Sequence, residues 1–323
     1  MEYDALRGPG GKAFHGCQHN MQGPIGIGAA VALAEVMKAR KIPGRLVVWG
    51  TPAEEIPPPV KAIMYDSGCF KEVDAAIMFH GGDRTTYRKA GPSGMALDAF
   101  EFVFKGKPSH ASSKPWEGKS ALDAVILMFN GIDALREHSE PGTRMHGVIT
   151  DGGAAPNIVP ERAATVWFIR HFQRPYLDMQ VQRVMDVVKG ATLMTGTEVT
   201  ITPQGRYDNR IHVETLERLA FHYAKQYGAA DPEEADPCPE TTAGSTDFGT
   251  VSFNIPSLEL RVKSARAGCP GHSQEFADAS VSELGKSALV VAAKVEASVA
   301  LDLLTQPDLL ARIKKEHALL KGK

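Results

Sequence analysis

The stretch from residue 95 to residue 203 constrains this chain more than any other feature. Strand-like apolar patterning over 95–105 is followed by a helical pattern over 119–137, opened by Ser120. Strand patterns at 144–150 and 162–170, a helix at 176–194 and a closing strand at 197–203 complete the run. The order β-α-β-β-α-β is the split arrangement of a small ferredoxin-like α+β domain.

The flanking sequence keeps a different rhythm. Residues 26–40 read as a helix of small residues with an apolar face broad enough to be largely buried, and Pro43-Gly44 breaks it. Residues 45–50 predict a short buried strand, 60–67 a helix and 74–80 a second strand. After the ferredoxin-like run come a helix at 212–227, an acidic, proline-rich loop at 231–240 and a strand near 253–260. A long helix from about 280 and a polar terminal helix follow. Strand–helix alternation predicts an α/β fold, a parallel or mixed sheet covered by helices, with ligands at the carboxyl ends of the strands. The expected organisation is therefore one α/β domain, residues 1–92 and 207–323, with a second domain, 93–206, inserted into it.

Composition narrows the function. A net charge of -2 over 323 residues argues against nucleic acid or an anionic membrane as partner. Four cysteines make no disulfide framework, and the start Met1-Glu2-Tyr3-Asp4 lacks the pattern of a signal peptide. With no long apolar run, a cytoplasmic location is the expectation.

Three clusters could carry chemistry. His15-Gly16-Cys17-Gln18-His19-Asn20 sets a thiol and an imidazole two apart just before a helix; both are ligands that zinc prefers. On its own such a pair is more often a buried cysteine beside surface histidines. Glu54-Glu55 follows the predicted strand at 45–50, where one carboxylate could bind a metal while its neighbour acts as general base. Taken alone, a solvated charge pair is the commoner outcome. His80 closes the next predicted strand, at the same expected sheet edge. A distant His272, in Gly271-His272-Ser273, is a fourth candidate.

These clusters, with Glu2-Tyr3-Asp4-Ala5-Leu6, Gly106-Lys107-Pro108-Ser109-His110-Ala111, Gly152-Gly153-Ala154-Ala155-Pro156-Asn157 and Ser245-Thr246-Asp247-Phe248-Gly249, resemble in order the motifs of M20-family metallopeptidases and amidohydrolases. The likeness covers essentially the whole chain and is nearest to the cysteine-ligand branch, the aminobenzoyl-glutamate hydrolase type. It implies a zinc-peptidase-like catalytic domain and an inserted lid and dimerisation domain. It also implies two divalent metal ions, zinc or manganese: Cys17 bridging, His19 and Glu55 on one side, His80 and His272 on the other. Glu54 would be the general base towards a metal-activated water. His110 would stabilise the oxyanion in the site of the other protomer, Asn157 would bind the substrate beside it, and Arg170 would hold a substrate carboxylate.

The implied reaction is cleavage of an amide bond in an N-acyl amino acid, an aminobenzoyl-glutamate-like conjugate or a dipeptide, by a homodimer or a heteromer. A catalytically degenerate, dimerising or regulatory subunit is the second reading. Three departures from the family pattern bear on it. Gln18 stands where glycine is usual and is expected to crowd the metal loop or alter its backbone angles. Ile56-Pro57-Pro58-Pro59-Val60 replaces a glycine-rich stretch. Glu2-Tyr3-Asp4-Ala5-Leu6 lies deeper inside relatives, so the first part of the catalytic domain is expected to be missing.

Overall fold

The computed structural model describes residues 1–8, 11–55, 59–233 and 244–321. The chain divides into two compact units, Met1–Ser93 with Arg210–Pro239 and Thr246–Lys323, and Gly94–Asn209 with Glu240–Ser245.

The first unit opens with a two-stranded ribbon, β1 (Leu6–Arg7) against β2 (Ala13–Phe14). Helix α1 (His19–Arg40) follows, then α2 (Val60–Asp66), β3 (Ala76–Gly82) and β4 (Gly91–Ser93). In α1 the buried residues Met21, Ile25, Ala29 and Leu33 recur every fourth position, so a single stripe meets the core. Ile27 and Val31 remain exposed, so the helix is less buried than its composition predicts.

Residues 45–50 form no strand. Leu46, Val47 and Val48 are exposed, and among the described residues the ladder contact beside them is the isolated bridge from Thr51 to Glu2. A cavity of about 340 Å³ lies beside this segment. Its lining includes Val47 and Trp49, Ala76 and Met78 of β3, and Leu33 of α1.

The second unit is ferredoxin-like: β5 (Ala96–Lys105), α3 (Ala121–Glu137), β6 (Arg144–Asp151), β7 (Arg162–His171), α4 (Arg174–Thr195) and β8 (Glu198–Tyr207). The strands pair antiparallel in the order β6-β7-β5-β8. Ser120 caps α3 by accepting a hydrogen bond from the Asp123 N–H at 3.1 Å. Phe102, Phe104, Met128, Ile132, Trp167, Ile169 and Leu177 fill the core, and a Cβ at Gly147 would overlap the Trp167 ring. Asp98 and Arg174 form a bidentate ion pair, each side chain only 4% exposed.

The chain returns to the first unit as β9 (Arg210–His212), antiparallel to β4, then α5 (Glu214–Gln226), α6 (Phe248–Asn254) and β10 (Ser257–Lys263). Residues 253–254, expected as the start of a strand, end α6 instead; the strand begins after Pro256. Helices α7 (Gln274–Ala279), α8 (Glu283–Thr305) and α9 (Pro307–Lys321) close the chain. β10 runs parallel to β3 in register Ala76↔Ser257 to Gly82↔Lys263, and Phe79, Leu258, Leu260, Val291, Val295 and Val299 pack beside the pair. Most of the loop expected at 231–240 lies outside the described residues, as do Ile56, Pro57 and Pro58; Pro59 directly precedes α2. Among the described residues no helix is long and apolar enough to cross a membrane.

Candidate metal centre

The candidate ligands of the first unit come from the turn before α1 and the first residue of α1, the loop after 50, strand β3, and the loop between β10 and α7. Potential ligand atoms of Cys17, His19 and His80 lie within 4.8 Å of one another, as do those of Cys17, Glu55 and His272. His19, Glu54 and Glu55 form a third such group. Cys17 is thus common to two groups, and its Sγ lies 2.8 Å from His272 Nε2. His19 thus falls within reach of both His80 and Glu55, and Glu55 within reach of both His19 and His272. Two contacts bring these segments together: α1 packs directly on β3, and the His272 loop meets the Cys17 turn through the His272 N–H to Gly16 C=O bond of 2.9 Å.

Backbone strain is concentrated here. Five described non-glycine residues have positive φ, and Gln18 (58°), Ala53 (57°) and His272 (60°) are all at these ligand segments. Gln18 takes the left-handed conformation that glycine favours, at a cost of roughly 1–2 kcal/mol. Its side chain is fully buried, donating to the Phe276 carbonyl at 2.6 Å and accepting from the Ser264 hydroxyl at 2.5 Å. Two such bonds, each worth about 1 kcal/mol, offset that cost. The expected crowding is therefore absorbed: Gln18 ties the Cys17 turn to the segment carrying His272. Gly81 makes room for it, because a Cβ there would overlap the Gln18 amide oxygen.

The histidines are oriented from behind. Asp4 Oδ1 lies 3.0 Å from His19 Nδ1, and the same carboxylate accepts the Glu55 N–H at 2.7 Å through Oδ2. His80 Nδ1 lies 2.9 Å from the Gly81 carbonyl, which leaves Nε2 as the ligating nitrogen. Burial, then Arg261, holds the His80 imidazole below its usual pKa, which keeps it neutral and able to ligate. The Cys17 thiol is pushed far up by burial, then by Glu55, so without a cation it keeps its proton. Glu54 is pushed up to about 8 by burial, then by the Glu2 carboxylate, partly offset by a hydrogen bond from Thr246. A thiol, imidazoles and carboxylates gathered around one sulfur fit borderline-soft divalent cations such as zinc.

Several residues of this centre have no role that the sequence pattern alone would assign. Glu2, Gln22, Lys61 and Asp247 are buried beside it, and Asp4 orients His19. The motifs containing Glu2 and Asp247 carry a signal, but spacing assigns neither residue a function.

The remaining candidates belong to the second unit. His110 and Asn157 are exposed on facing segments, joined by the Ala111 N–H to Asn157 C=O bond of 3.0 Å and the His110↔Ile158 bridge. His110 Nδ1 accepts from the Ser112 and Ser113 N–H groups, each at 3.3 Å, so the hydrogen resides on Nε2, which is left to donate. Arg170 lies on the sheet over the Phe168 ring, 5.5 Å from its centroid, and has no carboxylate partner among the described residues; its guanidinium donates to the Ser245 hydroxyl.

Comparison with known proteins places this architecture. Residues 96–190 match the peptidase dimerisation domain. The Xaa-Arg dipeptidase of Mus musculus is 32% identical over 318 residues, covering 98% of this chain and 72% of that protein. The chain belongs to the M20 family of peptidases. This M20 chain is also 26% identical to one of the p-aminobenzoyl-glutamate hydrolase polypeptides of Escherichia coli K12, over 98% of its own length and 79% of that protein. A dinuclear metal-binding M20 peptidase of Bacillus subtilis shares its fold, with a TM-score of 0.65 and 19% identity over 94% of this chain and 80% of that one. The chain is an enzyme of the M20 peptidase and amidohydrolase type.

Proposed function

We propose that this M20 chain is a metal-dependent hydrolase cleaving an amide bond of a dipeptide, an N-acyl amino acid or an aminobenzoyl-glutamate-like conjugate. The observation that carries the reading is the convergence of Cys17, His19, His80, Glu55 and His272, with Glu54 beside them. The substrate class is supported by the names of the relatives, a dipeptidase and an aminobenzoyl-glutamate hydrolase.

Cys17, His19 and His80 would hold one divalent cation, and Cys17, Glu55 and His272 a second. Bound there, the cations would acidify a water and polarise the scissile carbonyl. Glu54 accepts the proton of the attacking water and returns it to the leaving amine, a task for which a partly buried carboxylate with a raised pKa is suited. Asp4, 3.0 Å from His19 Nδ1, orients the imidazole towards the centre. Nε2–H of His110 and the Asn157 amide are the donors assigned to the oxyanion, and Arg170, lacking a carboxylate of its own, to a substrate carboxylate. Residues 93–206 serve as lid and dimerisation surface of a homodimer, and residues 1–92 with 207–323 as the catalytic domain.

Elemental analysis of purified protein, with hydrolysis assays on a panel of dipeptides and acyl-amino acids, tests this. Glu54→Gln is expected to lower kcat by about 10²–10⁴-fold while leaving metal content unchanged. Full activity in that variant would sink the assignment.

A further inference from the structure

Helix α2 begins beside the candidate centre, and its second residue, Lys61, is only 3% exposed. The Lys61 ammonium lies 2.5 Å from Glu2 Oε1 and donates to Asp247 Oδ1, while the Lys61 N–H donates to Asp247 Oδ2 at 3.0 Å. The second Glu2 oxygen accepts from the Gln22 amide at 2.7 Å and lies 3.2 Å from His19 Nε2. Carboxylate oxygens of Glu2, Glu54 and Asp247 fall within 4.8 Å of one another. Three carboxylates this close, two of them fully buried, repel one another unless one holds a proton or a cation stands among them. Their geometry is that of a cation site, and the charge supplied to it is the protein's own lysine.

We propose that Lys61 is a positioning residue, a tethered cation that occupies the space between Glu2, Glu54 and Asp247. It excludes a further metal ion from that triad and fixes the Glu54 carboxylate towards the Cys17 centre. The effect on turnover rests on the reading of Glu54 as general base, whereas the effect on metal content does not.

The test is Lys61→Ala, which removes the charge and opens the space. Zinc-loaded wild type and variant are desalted and their bound zinc is counted per chain, and kcat and KM are measured separately. The variant is expected to carry one more zinc equivalent than wild type and to lose tenfold or more in kcat with KM within threefold. An unchanged zinc count, or a kcat reduced less than tenfold, overturns the proposal. If Lys61→Ala does not fold, Lys61→Met/Asp247→Asn removes one charge of each sign and carries the kinetic test with the same thresholds. Should wild type hydrolyse nothing on the panel, the proposed function fails while the zinc count still decides the role of Lys61.

Discussion

Glu296 lies in the middle of α8, is 8% exposed, and borders the cavity beside β3. Burial pushes its carboxyl from the usual 4.5 up to about 7. Because the folded pKa lies above the unfolded one, the folded state binds the extra proton between these values. Stability from this group is therefore complete below about pH 4.5 and is lost as pH rises through 7. At about 1.4 kcal/mol per pH unit, ionisation costs under about 1 kcal/mol at pH 5 and about 3 kcal/mol at pH 8.5. Glu296→Gln keeps the shape of the protonated acid and removes the charge. Urea unfolding of both proteins at each pH, followed by Trp49 fluorescence in the first unit, isolates the effect, since titrating groups other than the Met1 ammonium, which interacts with Glu296, cancel between the pair. The variant should be more stable than wild type by about 3 kcal/mol at pH 8.5 and by under about 1 kcal/mol at pH 5. A difference that stays constant across this range would show the carboxylate hydrated through the cavity and refute the reasoning.

Two further outcomes follow from side chains described above. Asp4→Asn removes the carboxylate that orients His19, and should weaken zinc binding by about 10–100-fold in a chelator competition titration with the fold intact by circular dichroism. Arg174→Met strands the buried Asp98 carboxylate in the second unit and should cost about 3–5 kcal/mol, read as earlier urea unfolding with the buried Trp167 as fluorescent reporter.

Local pattern carried much of the fold. All six elements of the ferredoxin-like unit lie where apolar periodicity and the Ser120 cap predict them, because each is long and half-buried and shows its period. The strand expected at 45–50 has the right composition, Leu-Val-Val-Trp, but a strand exists only by pairing, and pairing is a property of what lies alongside. Short helices such as α6 and α7 carry too few turns for a period to register. In the metal centre the candidate ligands were legible as residue types at particular spacings. Their convergence in space was not, because it depends on α1 lying against β3 and on the His272 loop meeting the Cys17 turn. Gln18 shows the same limit: sequence flags a side chain where glycine is usual, and only the Phe276 carbonyl and the Ser264 hydroxyl, far along the chain, reveal why it is tolerated. Lys61 reads as an ordinary helix-surface lysine until Glu2 and Asp247 are brought to it from opposite ends of the sequence.

The parallel pairing of β3 with β10 also sets an order of events during synthesis. Ala76 leaves the ribosome long before its partner Ser257, an interval of roughly 10–40 s at ordinary rates of chain elongation. Throughout that interval β3 has an open edge, while the second unit, continuous from Gly94 to Asn209 apart from a short later segment, emerges complete enough to collapse on its own core. The insertion is thus able to fold before the first unit is complete, and the segment bearing Cys17, His19 and His80 waits for the C-terminal third of the chain. Interruption of translation anywhere before β10 would leave a folded ferredoxin-like body attached to an unassembled, thiol-bearing leader, a natural target for chaperones and proteases.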